Sequence, residues 1–201
     1  MDAIFSNTEK NPRGIPKAPF VERVTDFVKD ENDFTMVFDK FQERLAMYRY
    51  MQESKTANIK QLQTRVPEIE NTLKVCQRLK SKVVDKHEEV ELQYQLNDTL
   101  YTTAVVDCPS EETGTGAEDF KVGLWLGADI MLEYPLDEAI ELLNSRLEDS
   151  KASLQASIED SEFLRENITT MEVNCARLYN WDVERRLELK RAEEGTKNLK
   201  I

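Results

Sequence analysis

Apolar residues recur at alternating steps of three and four along two long stretches of this chain. The first stretch runs from Phe38 to Tyr94, and the second runs from Ile140 to Leu178. An apolar repeat of 3.5 residues is typical of left-handed coiled coils, whose side chains pack as knobs into holes. The pattern therefore predicts two long helices that pack through their apolar seams.

The first helix is predicted over residues 33–97 and the second over residues 136–194. Asn32 or Asp33 can cap the start of the first helix through its side-chain oxygen. Gly195 follows the second repeat and is a typical stop signal.

Prolines mark the irregular parts of the chain. Residues 1–32 contain Pro12, Gly14, Pro16 and Pro19, which disfavour a helix. This segment is therefore predicted to form an irregular N-terminal arm. Pro67 lies inside the first helix, where a proline costs roughly 3 kcal/mol and a local bend is expected. Residues 195–201 are predicted to be a C-terminal tail.

The periodicity changes between the two helices, over residues 98–135. Three short runs there, at 100–106, 120–126 and 130–134, are rich in β-branched and aromatic residues and are bounded by turn signals. These runs predict one or two β-hairpins. Because an isolated hairpin is marginally stable in water, this region is expected to need partners.

The short connection requires the two helices to fold back antiparallel into one rod, with the β region at one end and both termini at the other. The predicted fold is therefore mainly α, with a long antiparallel coiled coil joined by a small β-hairpin head. If Asn97 and Leu136 flank the turn, the helices pair Tyr48 with Arg185 and Phe41 with Ala192. The apolar seams would then stop matching near the far end, leaving the first helix with unpaired aromatic residues.

Composition excludes several classes of function. The net charge of -12 argues against binding nucleic acid, because that affinity depends largely on Lys and Arg. No apolar run is long enough to span a membrane, and the first ten residues lack a signal-peptide core, so a cytoplasmic location is expected.

Candidate chemistry is equally sparse. The three cysteines, Cys76, Cys108 and Cys175, show no metal-binding spacing, and the one histidine, His87, occupies a seam position. Phosphate-binding loops and nucleophile–base pairs are missing from the sequence. We therefore expect neither enzymatic activity nor a cofactor.

Several unusual segments resemble the prefoldin family, and within it the α-type subunits. They are RGIP at 13–16, VPEIENTL at 66–73, LNDTLY at 96–101, LWLGADIMLEY at 124–134, LDEA at 136–139 and TTMEVNCARLYNWDVERR at 169–186. These segments occur in order along nearly the whole chain, so the resemblance is specific.

The resemblance implies a heterohexamer of two α-type and four β-type subunits, whose hairpins join into an intersubunit β-barrel that carries six coiled coils. It implies an ATP-independent chaperone that captures unfolded actin and tubulin and delivers them to the group II cytosolic chaperonin. It also implies two hairpins in each α-type subunit, whereas the sequence has three clear extended runs, so the number of strands stays open.

Two sets of residues are predicted to carry this function. Client binding is predicted at the far end of the coiled coil, by Phe34, Phe38, Phe41, Leu45, Leu178, Trp181 and Leu187. Exposed apolar groups there would mark an interaction site. The alternative is that the arm folds back and covers these aromatics through Phe20 and Phe27. Subunit assembly is predicted for Val105, Val122, Leu124, Trp125, Leu126, Ile130 and Leu132.

Two other functions compete with the chaperone interpretation: a structural or tethering coiled-coil scaffold, and an adaptor for another machine. A simple coiled coil would not need the central β region, whereas an oligomer assembled through hairpins would.

Overall fold

The computed structural model describes residues 9–28, 31–85, 89–107, 120–127 and 129–198. His87 and Cys108 lie outside the described residues. Two long helices, α1 (Glu31–Val84) and α2 (Leu136–Asn198), flank four strands. The strands are β1 (Glu89–Asn97), β2 (Leu100–Asp107), β3 (Lys121–Gly127) and β4 (Ile130–Pro135). The predicted fold class, two long helices joined by β-hairpins, is confirmed.

The four strands form two separate antiparallel hairpins. Strand β1 pairs with β2, and β3 pairs with β4. The turn of the second hairpin uses backbone that favours glycine, since Gly127 has a φ of 104° and Asp129 a φ of 57°. The structure thus has the two hairpins that the resemblance implied, and the fourth strand is β1.

The prediction of helix as far as residue 97 is wrong, because α1 ends at Val84 and residues 89–97 are a strand. The segment Glu89–Leu96 alternates polar and apolar residues with a period of two, which favours a strand with one buried face. Val90 and Tyr94 fit both this alternation and the heptad repeat. The apolar repeat therefore continues past the end of α1 into the strand.

Two further details of the helices differ from or refine the predictions. Helix α2 continues through Gly195 to Asn198, so the predicted stop at residue 194 is wrong. A glycine inside a helix costs only about 1 kcal/mol and does not by itself end it. Pro67 lies within α1, which continues as helix on both sides of it.

The chain divides into two compact units, residues 60–155 and residues 1–59 with 156–201. In the first unit the helices run antiparallel, since Glu70 of α1 pairs with Lys151 of α2 and Lys80 pairs with Asp137. Its main core joins both helices to β3. The core residues are Leu73, Cys76, Leu79, Leu124, Leu136, Ala139 and Leu143.

The second unit joins the N-terminal arm to the other halves of both helices. The helices are again antiparallel, with Arg49 paired to Glu172 and Asn58 hydrogen-bonded to Ser157. Residues 9–28 contribute four buried side chains to the core of this unit: Ile15, Ala18, Val21 and Val28. A short 3₁₀ turn at Val24–Asp26 is the one regular helical element described within the arm.

Candidate functional site

Six of the seven predicted client-binding residues lie in the core of the arm-containing unit. Phe34, Phe41 and Leu178 are buried, and Phe38, Leu45 and Trp181 are partly buried against the same cluster. The ring of Phe34 stacks on Phe38 with centroids 5.6 Å apart and lies 6.4 Å from Trp181. Leu187 does not belong to this cluster and is 49% exposed.

The predicted exposure of these aromatics is wrong, and two physical reasons account for it. The assumed pairing placed Arg185 opposite Tyr48, but the early end of α1 shifts the register, and Arg49 pairs with Glu172 instead. The aromatics of α1 therefore have apolar partners on α2.

The second reason is that the arm covers the cluster, as in the alternative considered from the sequence. Phe27 meets Phe41 edge to face with ring centroids 6.5 Å apart, and Val21 and Val28 are buried in the same core. Phe20 takes no part in this cover. Its ring is 51% exposed, and the guanidinium of Arg177 lies 4.7 Å from its centroid.

Buried polar side chains of α2 hold the arm at intervals of seven residues. They are Asp160, Asn167 and Asn174, which we call the polar ladder. The Asn174 amide oxygen accepts the Val21 N–H at 2.9 Å, and its nitrogen donates to the Pro19 carbonyl at 2.7 Å. The Asn167 amide oxygen accepts the Ala18 N–H. These contacts satisfy main-chain groups that would otherwise be buried without partners.

The remaining ladder residue is charged. The Asp160 carboxylate accepts hydrogen bonds from Arg13 and Asn11 of the arm and pairs with Lys55 of α1 at 2.9 Å. Burial raises the pKa of Asp160, but the hydrogen bonds from Lys55 and Arg13 outweigh it and leave the pKa below its ordinary value. The carboxylate is therefore ionised and links the arm to both helices.

The spacing of the ladder matches an extended peptide. The arm advances from Ala18 to Val21 while α2 advances from Asn167 to Asn174. Three residues of extended chain rise about 10 Å, and seven residues of helix rise about 10.5 Å. The two elements run in the same direction and stay in register.

The predicted assembly residues lie on both faces of the hairpins. Leu124 is buried in the core of its unit, and Val122 is half-buried against that core. Leu126 is partly buried. The other four predicted residues are exposed: Val105, Trp125, Ile130 and Leu132. Trp125 pairs with Met131 across the hairpin, and both are more than half exposed.

The first hairpin adds an exposed apolar surface that the sequence interpretation missed. Val90 is buried and Leu92 half-buried, but Tyr94, which follows on the same face of β1, is exposed by more than half. Leu96, at the register shift near the end of β1, is equally exposed. Leu100 and Tyr101 of β2 are equally exposed. The alternation of apolar residues through β1 is the signal that could have found this surface. Each strand has one hydrogen-bonded neighbour among the described residues, so each also presents an open edge.

Other kinds of site receive little support. Within the described residues, no group of three or more His, Cys, Asp or Glu side chains is placed to hold a metal ion. Burial raises the pKa of the Cys76 and Cys175 thiols, which makes them poor nucleophiles. Neither described helix contains an apolar stretch that could cross a bilayer.

Comparison with known proteins identifies the family. The family model described as prefoldin subunit matches residues 48–181 of this chain. A curated protein from Saccharomyces cerevisiae, prefoldin subunit 3, is 64% identical over 204 residues, which cover 100% of both chains. Prefoldin subunit 3 of Homo sapiens is 38% identical over 92% of this chain and 87% of its own length.

Among solved structures, a chain of the filamentous PFD from Methanocaldococcus jannaschii aligns with a TM-score of 0.40 at 16% identity. The alignment covers 73% of this chain and 98% of that one. The assignment therefore rests on the family model and on the full-length similarity to curated relatives, and both agree with the motifs in the sequence. The chain belongs to the prefoldin family of chaperone subunits.

Proposed function

We propose that this chain is one of two α-type subunits in a heterohexamer with four β-type prefoldin subunits. The complex captures unfolded actin and tubulin in the cytoplasm without ATP and delivers them to the group II cytosolic chaperonin. The observation that carries the assembly role is the exposed apolar surface of the two hairpins, around Trp125 and Tyr94.

The apolar side chains of the hairpins are incompletely buried in the single subunit. Two-stranded sheets are marginally stable alone, and their open edges and apolar faces favour pairing with further strands. Joining hairpins from several subunits into a barrel would bury Trp125, Ile130 and Leu132 and remove the open edges.

The client site is proposed at the aromatic cluster of the arm-containing unit, which contains Phe34, Phe38, Phe41, Leu45, Leu178 and Trp181, with Leu187 on the surface beyond it. Contacts repeated in six subunits would give avidity from individually weak interactions, so that a client could be held and later released.

Native mass spectrometry of the tagged chain, recovered gently from its own cells, tests the assembly. We expect a complex of six subunits with two α-type and four β-type chains. A homodimer or a single chain would favour the tethering scaffold, and a stable complex with one folded partner would favour the adaptor.

Client capture is tested by diluting denatured actin into buffer with the purified hexamer and recording light scattering. We expect suppression of aggregation near equimolar hexamer without ATP, followed by transfer of actin when chaperonin is added. Aggregation at the rate seen without hexamer would contradict the proposed function.

A further inference from the structure

The arm lies in a groove between α1 and α2, whose side chains form hydrogen bonds with main-chain groups of the arm. Besides the two ladder asparagines, the Tyr48 hydroxyl donates to the Pro16 carbonyl at 2.9 Å, and Arg177 donates to the Val21 carbonyl at 3.0 Å. Five main-chain atoms between residues 16 and 21 are therefore bound by side chains of the helices. Main-chain groups are common to every polypeptide, so this recognition does not depend on one sequence.

The floor of the groove accepts small and medium apolar side chains. Ile15, Ala18 and Val21 of the arm pack into a core formed with Leu164, Ile168, Met171 and Leu178 of α2. The unbranched side chain of Met171 can adapt to differently shaped apolar partners at low cost. An extended segment with an apolar residue at about every third position has the chemistry that the groove binds.

We propose that residues 9–28 are an internal occupant of a groove whose other ligand is an extended apolar segment of a non-native polypeptide. This inference rests on the proposed function. It specifies that a client segment and the arm compete for the same groove. A non-native chain offers both unpaired main-chain groups and exposed apolar side chains along flexible segments, which can take the extended form that the arm has in the groove.

Competition by the arm would lower the affinity for clients. The apparent dissociation constant equals the intrinsic one divided by the fraction of molecules whose groove is open. The ladder and the apolar packing of the arm together set that fraction, because they determine how tightly the arm is held. Releasing the arm should therefore strengthen client binding, whereas an arm that only stabilises the fold would have the opposite effect when released.

The test compares hexamers that carry Val21→Asp or Thr25→Asp. Val21 is fully buried in the groove, and Thr25 is exposed on the same arm, so both variants add one carboxylate but only the first disrupts packing. A hexamer lacking residues 1–28 of this chain is the second arm-released variant and carries no buried charge. Native mass spectrometry establishes that each hexamer is intact.

The probe is a fluorescent peptide with the sequence of residues 9–28, followed by anisotropy. We expect it to bind the Val21→Asp hexamer at least about tenfold more tightly than the wild-type or Thr25→Asp hexamers. The same peptide N-methylated at Ala18 and Val21 keeps its side chains but loses both N–H donors, and it should not bind. Asn174→Leu, added to Val21→Asp, should also abolish binding.

Denatured actin provides the decisive readout. Both arm-released hexamers should suppress actin aggregation at lower concentration than wild type, and actin should displace the peptide from them. Equal or weaker suppression than wild type, equal peptide binding by all hexamers, or no displacement by actin would overturn this inference while leaving the proposed function intact. Failure of every hexamer, including wild type, to suppress aggregation would instead overturn the proposed function.

Discussion

The core of the arm-containing unit and the two hairpins differ in how far their aromatic residues are buried. In the core of the arm-containing unit, Tyr48 and Phe41 are almost fully buried within the chain itself. In the hairpins, Trp125 and Tyr94 are each more than half exposed. Burying apolar surface lowers the free energy by about 25 cal/mol for each Å² removed from water. The exposed side chains of the hairpins therefore gain most from a partner.

The difference shows that exposure in a single subunit separates two roles that composition does not. Both regions are rich in aromatic residues, but one is closed by a segment of its own chain and the other is open. This difference supports the two proposed roles, which are permanent assembly for the open region and an exchangeable ligand for the closed region.

The largest effect is expected from removing the aromatic residue of the open region. Trp125→Ser should weaken incorporation into the hexamer by about 2 kcal/mol or more, which is roughly thirtyfold, because buried tryptophans dominate interfaces. Native mass spectrometry and sedimentation of the reconstituted complex measure this loss.

Tyr179→Ser is the matched control, since Tyr179 is 58% exposed on α2 and Trp125 is 59% exposed on β3. The control should assemble normally. Equal assembly of both variants would mean that the exposed face of the second hairpin is not an interface.

The next largest effect concerns the closed region. Asn174→Leu leaves the Val21 N–H and the Pro19 carbonyl without their partners, which costs about 1 to 3 kcal/mol for each buried group. Hydrogen exchange at the Val21 amide should then be at least about tenfold faster. Asn180→Leu, on an exposed position of the same helix, should leave that exchange rate unchanged. Unaltered protection in Asn174→Leu would show that the arm is held by apolar packing alone.

Heptad periodicity predicted the two long helices, since seam residues such as Leu73, Leu143 and Leu164 are buried as expected. The hairpin head was predicted from the short β-branched and aromatic runs between them. Heptad periodicity failed where two periodicities coincide, at Val90 and Tyr94, because apolar residues there fit a helix and a strand equally well. Because the end of α1 was predicted too far along the chain, the predicted register between the helices was shifted. Aromatic residues that are in fact buried were therefore predicted to be exposed.

The polar ladder was missed for a different reason. Asp160, Asn167 and Asn174 each precede a seam residue and repeat every seven positions, a signal that is visible in the sequence. The arm atoms that Asn167 and Asn174 bind are main-chain atoms, however, and a main-chain partner cannot be identified from residue type. The sequence could therefore indicate buried polar positions but not which segment they bind.

A smaller, pH-dependent effect is expected at the charged ladder residue. Because the pKa of Asp160 is lowered in the folded chain, its stabilisation of the arm is complete above the pKa of a free aspartate, about 3.9, and is lost as the pH falls through the lowered value. Exchange at the Ala18 amide, corrected for the intrinsic rate, should accelerate on acidification below about pH 4. Asp160→Asn should exchange faster at neutral pH and respond less to acidification. An identical pH response in this variant would assign the effect to other carboxylates, such as Glu159, which also pairs with Arg13.

The smallest effect is expected from the exposed ion pair between the helices. Arg49 and Glu172 lie 2.7 Å apart, but both side chains are about half exposed, so solvent and salt screen their attraction. A double-mutant cycle with Arg49→Ala and Glu172→Ala should give a coupling of less than about 1 kcal/mol in the free energy of unfolding, and less still in high salt. A larger, salt-independent coupling would mean that surface charge, in addition to apolar packing and the ladder, holds the closed region together.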